Sequence, residues 1–262
     1  MDLQLKGKVA LISGSTKGIG FASAKLMAGE GAHVIVNGRT QAAVADALAR
    51  IRQVHPHAML DGLAADLATV AGANTLVAKF PDVDILVNNL GIFERKAFEE
   101  IDDAEWQRFF DINVMSGVRL SRAYLAGMKR RNWGRIVFVS SESGIQIPDN
   151  MIHYGMTKTA QLSISRGLAE TCAGTQVTVN AVLPGPTLSE GNKAGIAKRA
   201  PGRPFPEFEK EFFEKVRPSS LLKRYATPDE VASMIAYVCS PLASATNGAA
   251  LRVDGGVVRA CF

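Results

Sequence analysis

The stretch Ser13-Gly-Ser-Thr-Lys-Gly-Ile-Gly20 lies at the junction between a short apolar run, Val9–Ser13, and a segment with helical periodicity. Glycines at a strand–turn–helix junction allow a tight turn and let the backbone approach a pyrophosphate, while the helix N-terminus offers N–H groups and a positive dipole. The spacing is Gly-x-x-x-Gly-x-Gly rather than the Gly-x-Gly-x-x-Gly of the general dinucleotide fingerprint. The stretch therefore predicts a βα unit that binds a nucleotide.

The rest of the chain repeats this alternation of short β-branched runs and longer amphipathic segments, which is typical of successive βα units. Strands are predicted near Val9–Ser13, His33–Asn37, Met59–Ala64, Ile85–Asn88, Arg135–Ser140, Val177–Leu183 and Ala250–Val253. Helices are predicted at Gly18–Gly29, Ala42–Val54, Val70–Phe80, Glu105–Arg130, His153–Cys172 and Asp229–Cys239. The predicted fold class is α/β: a single Rossmann-type doubly wound domain over residues 1–262, with a seven-stranded parallel sheet flanked by helices on both faces.

One stretch departs from this alternation of strands and helices. Residues 184–220 contain several prolines and glycines and are too irregular to form one helix. A long insertion in a compact domain is usually functional or mobile. We predict a substrate lid over 184–220, with a short helix near Glu207–Val216.

Composition narrows the possible classes. With 47% hydrophobic and 21% charged residues, the 262-residue chain has enough apolar material for one large core, and no apolar run approaches the roughly 18 residues of a membrane span. The three cysteines are far apart and lack metal-ligand spacing. The formal charge of +5 favours anions in general, but the basic residues are dispersed and no basic patch is interleaved with aromatic residues. We expect a cytoplasmic protein without metal, nucleic-acid or membrane partners.

A second informative stretch is Arg135–Gly144, which is followed by Tyr154-Gly-Met-Thr-Lys158. It places serine hydroxyls at a predicted strand end and then a phenol and an ammonium on one predicted helix. Residues four apart lie on the same helix face, and a neighbouring cation favours the phenolate. Tyr154 is therefore a candidate acid/base residue, and we expect Lys158 to lower its pKa.

The end of the second predicted strand bears on the choice of cofactor. A free ribose 2′-hydroxyl is usually bound there by Asp or Glu, but this chain has Asn37-Gly-Arg39 and, in the glycine stretch, Lys17. Two cations suit a 2′-phosphate through charge-assisted hydrogen bonds. We predict NADP(H), with NAD(H) less favoured; the alternative is that Lys17 and Arg39 are exposed surface charges.

Polar residues follow the next two strands as well. Asp66 is a candidate acceptor for an adenine amino group, with Leu67 against the ring, unless Asp66 only caps a helix or stabilises a loop. Asn88, Asn89 and Gly91 end the fourth strand, at the edge where ligands bind in open α/β sheets. The asparagines either serve a ligand or satisfy loop backbone groups, and Gly91 lets the chain pass close to a cofactor.

Together these motifs resemble the short-chain dehydrogenase/reductase family, in particular its NADP-preferring, 3-oxoacyl-reductase-like members. The resemblance covers nearly the whole chain in family order. It is carried by Gly14, Gly18, Gly20, Asp66, Asn88-Asn-Leu-Gly91, Asn113, Ser141, Tyr154-x-x-x-Lys158, Pro184-Gly185 and Asp254-Gly-Gly256. Two departures are Ser13, where the family usually has Thr, and Leu90 in place of Ala; we expect cofactor binding to survive both.

The resemblance implies a role for each catalytic residue. Tyr154 would be the general acid in reduction and the general base in oxidation, and Lys158 would lower its pKa together with the positive nicotinamide. Ser141, favoured over its neighbouring serines by its spacing from Tyr154, would hold the substrate oxygen. Asn113 is similar to the family asparagine whose helix distortion and bound water link Lys158 to solvent.

The same resemblance implies the cofactor contacts. Thr187 and Ser189 would contact the nicotinamide carboxamide, although turn and capping chemistry is an alternative for both. The expected cofactor-binding residues are Gly14, Ser15, Thr16, Lys17, Gly18, Ile19, Gly20, Arg39, Asp66, Leu67, Asn89, Gly91, Tyr154, Lys158, Pro184, Gly185, Thr187 and Ser189.

The expected function is hydride transfer between the nicotinamide and a ketone/secondary-alcohol pair. A 3-oxoacyl thioester, a sugar, a steroid or another small alcohol all remain open as substrates, and an NADP-binding regulator with little turnover is the alternative function. Beside the catalytic residues, Glu142 either repels a carboxylate, binds a hydroxyl-rich substrate or faces solvent, and His153 is expected to be a surface or capping residue. The family further suggests a homotetramer, or a homodimer.

Overall fold

A seven-stranded parallel sheet forms the centre of the structure, a computed structural model in which residues 1–261 are described. Its strands are β1 (Val9–Ile12), β2 (His33–Gly38), β3 (Leu60–Ala64), β4 (Ile85–Asn88), β5 (Gly134–Val139), β6 (Val177–Pro184) and β7 (Ala250–Val253). The spatial order is β3-β2-β1-β4-β5-β6-β7, and every neighbouring pair is parallel. The chain reverses its direction of progress across the sheet between β1 and β4. This topology confirms the predicted Rossmann-type fold.

Helices cover both faces of this sheet. They are α1 (Gly18–Gly29), α2 (Gln41–Val54), α3 (Val70–Lys79), α4 (Asp103–Phe110), α5 (Ser116–Arg130), α6 (Ile152–Glu170), α7 (Glu190–Arg199), α8 (Phe205–Glu211) and α9 (Pro228–Val238). Alternation along β1 shows how the two faces are filled. Ala10 and Ile12 belong to one core cluster with residues of α1, α2 and α9, whereas Leu11 belongs to a second cluster with residues of α3, α5 and α6. Strands buried on both faces explain the continuous apolar runs in the sequence.

The predicted long helix Glu105–Arg130 is wrong in one respect. The structure has two α-helices, α4 and α5, joined by a π-helical turn over Asp111–Met115. A π-turn inserts a residue into the helical repeat and often marks a functional site. Asn113 lies in this turn, so the helix distortion expected from the family resemblance is present.

The 184–220 segment is more regular than the sequence suggests. The predicted helix near Glu207–Val216 corresponds to α8 and a following π-helical turn, Phe212–Val216. A further helix, α7, was not predicted. It begins at Glu190 and is capped by Ser189, whose side chain accepts a hydrogen bond from the backbone N–H of Asn192 at 3.2 Å. Four buried side chains, Ile196, Phe212, Phe213 and Tyr225, form a small separate apolar cluster that holds the segment together.

No helix within residues 1–261 is both long enough and apolar enough to cross a bilayer.

Candidate active site

The polar residues singled out in the sequence meet along one edge of the sheet, where β1, β4 and β5 end. Ser13 follows β1, Asn89 follows β4 and Ser141 follows β5. Because all strands are parallel, their carboxyl ends lie on the same edge, and ligands of open α/β sheets bind there. The direct contact between the first two residues is a hydrogen bond from the backbone N–H of Asn89 to Ser13 Oγ at 2.9 Å.

The glycine turn between β1 and α1 requires its glycines. Gly14 and Gly18 have φ angles of +61° and +59°, which strain any residue with a Cβ. Gly20 has no room for a side chain, since a Cβ there would lie 2.7 Å from the carbonyl oxygen of Gly14. The Ser15 hydroxyl donates to the Ile12 carbonyl at 2.7 Å and accepts from the Asn37 N–H at 2.9 Å. Its side chain therefore supports the turn.

Asn37 is a structural residue that sequence reasoning did not assign. Buried at the end of β2, its Oδ1 accepts from the Gly14 N–H at 3.2 Å, and its Nδ2 donates to the carbonyls of Leu63 and Ala65 at 3.2 and 3.1 Å. One amide thus joins the glycine turn to β3 through β2. In the sequence, this residue is marked by an uncharged amide at the strand end where Asp or Glu usually binds the ribose.

Ser13 stands where the family usually has threonine, and it supplies a hydroxyl at the same position. Its hydroxyl accepts from the N–H groups of Asn89 and Leu90 at 2.9 and 3.0 Å and donates to the Val87 carbonyl at 3.3 Å. The Asn89 side chain in turn donates to the carbonyls of Ser13 and Gly14. The loop after β4 is therefore fastened to the glycine turn, and Asn89 serves backbone groups.

Four other residues were proposed to contact the cofactor: two have exposed side chains, and two make contacts within the protein. Lys17 and Arg39 are exposed beyond the neighbouring strands β1 and β2, and neither side chain has an ion pair or hydrogen bond within residues 1–261. Asp66 Oδ1 accepts a hydrogen bond from the N–H of Ala68 at 3.1 Å, a contact that stabilises the loop after β3. Leu67 is fully buried in the second core cluster, so core packing accounts for its side chain.

The first turn of α1 already binds a carboxylate. Glu190 Oε2, at the start of α7, accepts the N–H of Gly18 at 2.8 Å. Burial opposes ionisation of Glu190, but backbone hydrogen bonds and the charge of Arg50 outweigh it and lower its pKa. A charged oxygen at this turn is a stand-in for a phosphate oxygen, so the turn fits the anionic part of a dinucleotide.

After the end of β6, the hydroxyls of Thr187 and Ser189, which were proposed to bind the cofactor, both make hydrogen bonds within the protein. Thr187 donates to the carbonyl of Gly185 at 2.9 Å, and Ser189 caps α7. A Cβ on Gly185 would lie 2.6 Å from the carbonyl oxygen of Asp254. Pro184-Gly185 therefore packs directly against the Asp254-Gly-Gly256 motif.

Tyr154 and Lys158 lie on α6 with Lys158 Nζ 5.6 Å from the centre of the Tyr154 ring. Phe93, on the loop after β4, contacts the same ring edge-to-face at a centroid distance of 6.4 Å. Ser141 lies at the end of β5 and accepts the N–H of Ser143 at 3.1 Å. The structure thus brings together the three residues that were predicted to handle the proton.

Burial dominates the ionisation of this group. It raises the pKa of the Tyr154 phenol above its ordinary value, with the charge of Glu142 acting in the same direction and the Ser141 hydroxyl against it. Burial also lowers the pKa of Lys158 to about 7. Desolvation thus disfavours both charged forms, and the lowering of the Tyr154 pKa by Lys158 together with the positive nicotinamide stays a prediction.

Asn113 connects the π-helical turn to the loop after β4. Its Oδ1 accepts the N–H of Ile92 at 2.8 Å, and its Nδ2 donates to the Ile92 carbonyl and to Thr157 Oγ1, both at 3.0 Å. Its backbone carbonyl remains available because the π-turn interrupts the regular helix pattern.

Gln161 takes up that carbonyl, and sequence reasoning missed it. The fully buried Gln161 side chain donates to the Asn113 carbonyl and accepts from Lys158 Nζ at 3.3 Å. A second acceptor for Lys158 is the Val139 carbonyl at 2.9 Å. Gln161 thus lies directly between the two residues that the family resemblance joins by water. The signal was a long amide on the same helix face as Lys158.

His153 is not the surface or capping residue that was expected. Its side chain is completely buried, with its ring 4.0 Å from that of Phe109 and 6.0 Å from that of Trp106, and neither ring nitrogen has a hydrogen bond. Burial lowers its pKa. Glu105 lies 3.9 Å away but is paired with Lys96, so a neutral imidazole is the form that fits.

Together, the doubly wound sheet, the glycine turn and the Ser141, Tyr154 and Lys158 group define a nucleotide-binding α/β oxidoreductase. A family profile described as enoyl-(acyl carrier protein) reductase matches residues 14–258. The chain belongs to the short-chain dehydrogenase/reductase family, an assignment that confirms the family resemblance.

Three relatives illustrate the range of this similarity. The chain is 49% identical over 264 residues to YvaG, an uncharacterized oxidoreductase of Bacillus subtilis, with 100% of both chains covered. It is 30% identical over 260 residues to the 3-oxoacyl-(acyl-carrier-protein) reductase FabG of Aquifex aeolicus, covering 98% of this chain and 100% of the relative. L-sorbose reductase from Gluconobacter frateurii, solved in complex with NADPH and L-sorbose, superimposes with a TM-score of 0.91 at 30% identity over 99% of this chain and 100% of that one.

The buried imidazole generates a pH prediction. Because the pKa of His153 is lower in the folded state than its ordinary value, the unfolded chain takes up the proton first, and stability is lost as the pH falls below about 6.5. Replacement of His153 by Phe removes this contribution, which cannot exceed about 1.4 kcal/mol per pH unit. Urea unfolding at about pH 7.5 and about pH 5.5 measures the difference in the free energy of unfolding between the two pH values. The exposed His57→Gln is the control. If His153→Phe loses as much stability between these pH values as the wild type, the prediction is contradicted.

Proposed function

We propose that the protein is an NADP(H)-dependent oxidoreductase that interconverts a ketone and a secondary alcohol. The observation that carries this proposal is that Ser141 and Lys158 both lie beside Tyr154, next to the loop after β4 at the ligand-binding edge of the sheet. Two relatives, a 3-oxoacyl reductase and a sorbose reductase, are both named for carbonyl reduction. These names support the reaction class.

The side chains divide the proton chemistry among themselves. When bound, the nicotinamide supplies or accepts the hydride. Tyr154 donates its phenolic proton to the substrate oxygen in reduction and takes one back in oxidation. Ser141 fixes that oxygen by a hydrogen bond. Lys158, held by the Val139 carbonyl and Gln161, provides a cation that favours the phenolate when the tyrosine has given up its proton.

The preference for NADP(H) rests on charge at the ends of β1 and β2. Lys17 and Arg39 have no side-chain partner within residues 1–261, and the last residues of β2 carry no carboxylate that would repel a 2′-phosphate. Asn37, the polar residue in place of the acid, has its side chain engaged in backbone hydrogen bonds. We infer that the two cations recognise the 2′-phosphate.

Substrate selection is proposed for the 184–220 segment, which acts as a lid on a single domain spanning 1–262. A 3-oxoacyl thioester, a sugar, a steroid and another small ketone remain the candidate classes. The alternative function, a cofactor-binding regulator, is disfavoured by the intact group of Asn113, Ser141, Tyr154 and Lys158. A regulator has no need of an acid/base residue.

A homotetramer, or a homodimer, is proposed, with the face formed by α5 and α6 as one of its interfaces. A groove of about 370 Å³ on this face is lined mainly by apolar groups, among them Val118, Leu125, Ile164 and Leu168, with Arg122 and Lys129 also contributing. An apolar groove shared by two long helices suits packing against a second copy.

The first test of the proposal is Tyr154→Phe. The variant keeps the ring against Phe93 but loses the transferable proton, so turnover falls by roughly 10²- to 10⁴-fold while NADPH affinity is retained. Absorbance of NADPH over a panel of ketones, sugars and 3-oxoacyl thioesters measures turnover, and fluorescence titration measures binding. The exposed Tyr237→Phe is the control. Near-native turnover in Tyr154→Phe contradicts the mechanism, and NADPH binding without oxidation by wild type favours the regulator.

The second test concerns cofactor choice. In the double variant Lys17→Ala, Arg39→Ala, kcat/KM with NADPH falls by about 10-fold or more, because two exposed charge-assisted contacts together contribute about 1–2 kcal/mol after solvent screening. The value with NADH stays unchanged. Arg52→Ala, an exposed charge on α2, is the matched control. Equal or better efficiency of the wild type with NADH contradicts the preference.

The third test is the molar mass in solution. Multi-angle light scattering is expected to give about four times the 28.0 kDa monomer mass. Substitution of Leu125 by Glu in the α5–α6 groove places a charge in the proposed interface and lowers that mass. A wild-type mass near that of the monomer contradicts this assembly.

A further inference from the structure

A buried carboxylate lies next to the serine of the proposed catalytic group. Glu142 is 3% exposed, although the sequence left open that it faces solvent. Its Oε2 accepts hydrogen bonds from the hydroxyls of Ser141, at 3.1 Å, and of Ser143. Its Oε1 accepts from Arg217 Nε at 2.9 Å. Both carboxylate oxygens are therefore occupied.

Arg217 comes from a different part of the chain. It directly follows the π-helical turn Phe212–Val216 and belongs to the 184–220 segment. Its side chain is 13% exposed, so the ion pair with Glu142 is largely shielded from water. A carboxylate buried without a partner is strongly disfavoured, whereas one that is paired and hydrogen-bonded is tolerated. Arg217 is therefore the charged partner that this buried carboxylate requires.

This arrangement determines how Ser141 is used. A serine hydroxyl has one proton to donate and two lone pairs with which to accept. Ser141 directs its proton to Glu142 and uses one lone pair for the N–H of Ser143. What remains is one acceptor position, so the serine proton must turn from Glu142 to a substrate oxygen before Ser141 can hold that oxygen. The rotamer and the proton of Ser141 are thus set by the neighbouring carboxylate.

We propose that Glu142 is a positioning residue for Ser141 and that Arg217 holds the Glu142 carboxylate in place, so that the serine is set only while the 184–220 segment is docked. This inference rests on the proposed function, because it assigns Ser141 to the substrate oxygen. Glu142 contacts both Ser141 and Arg217, so the orientation of the serine hydroxyl depends on the position of the segment. The ion pair also removes the expectation that Glu142 repels an anionic substrate, since Arg217 neutralises it.

The variants Glu142→Gln, Arg217→Met and Arg217→Lys test the chain of contacts. The first two lower kcat about 10-fold or more, because small misplacements of reacting groups have effects of at least this size. Their NADPH affinity stays within about twofold. Their double combination is no worse than either alone, because both act through one unit. Arg217→Lys, which keeps the charge, restores much of the loss. Arg203→Met, which breaks the ion pair with Glu211 in the same segment, is the matched control.

The pH profile separates positioning from a merely structural effect. The Glu142 charge contributes to raising the pKa of Tyr154. Glu142→Gln therefore moves the pH dependence of alcohol oxidation to lower pH, a shift that loss of packing alone does not produce. If Glu142→Gln fails to fold by circular dichroism, the Met and Lys variants of Arg217 decide the question. Unchanged kcat in both Glu142→Gln and Arg217→Met overturns the proposal.

A measurement without substrate distinguishes failure of this inference from failure of the proposed function. Amide hydrogen exchange by mass spectrometry is expected to rise in Glu142→Gln and in Arg217→Met in peptides covering both 141–146 and 212–220. In Arg203→Met, peptides covering 141–146 stay protected. If the wild type shows no turnover with any substrate, the proposed function fails while this coupling is still measured. Exchange that rises in only one of the two peptides contradicts the coupling.

Discussion

The interior position of the Lys158 ammonium constrains most of the site. Within residues 1–261 it has no carboxylate partner and is held by two neutral oxygens, the Val139 carbonyl and Gln161 Oε1. A buried cation without a counter-ion is tolerated only when such acceptors are fixed in place. One acceptor is fixed by a sheet strand. The other is fixed because its amide also donates to the Asn113 carbonyl in the π-helical turn. The irregular turn, the strand end and the long helix α6 are therefore parts of one polar network.

A comparable network joins the first half of the molecule. Asn37 and Ser13 use short side chains to link backbone groups of three strand ends, which fastens the glycine turn to β3 and to the loop after β4. Such side-chain-to-backbone contacts replace the ladder hydrogen bonds that end with each strand. The two networks meet at the loop after β4, where Asn89 is bound to the glycine turn and Ile92 is bound to Asn113. This loop therefore connects the glycine turn with the helix that carries Tyr154 and Lys158.

Sequence reasoning reached the fold because its signals are local. Buried parallel strands appear as β-branched runs, and the glycine turn has a unique position between strand and helix, so most strand ends agree with the structure to within two residues. Periodicity alone predicted one continuous helix across the π-helical turn, and only the family resemblance indicated a distortion at Asn113. Helix α7 escaped because its stability comes from a cap and an apolar cluster around Tyr225. Gln161, Asn37 and the burial of Glu142 depend on residues distant in sequence, which a pattern read along the chain does not bring together.

The contact between Glu190 and the Gly18 N–H has a thermodynamic consequence. One N–H cannot serve two anionic oxygens fully, so any anion that takes this donor must displace the Glu190 carboxylate. For a half-exposed carboxylate, that exchange opposes binding by about 1 kcal/mol, roughly a fivefold change in a dissociation constant. Linkage is reciprocal, so occupancy of the first turn of α1 and release of the start of α7 favour each other equally. A single surface carboxylate therefore acts as an internal competitor that sets the affinity of the first turn of α1 for anions.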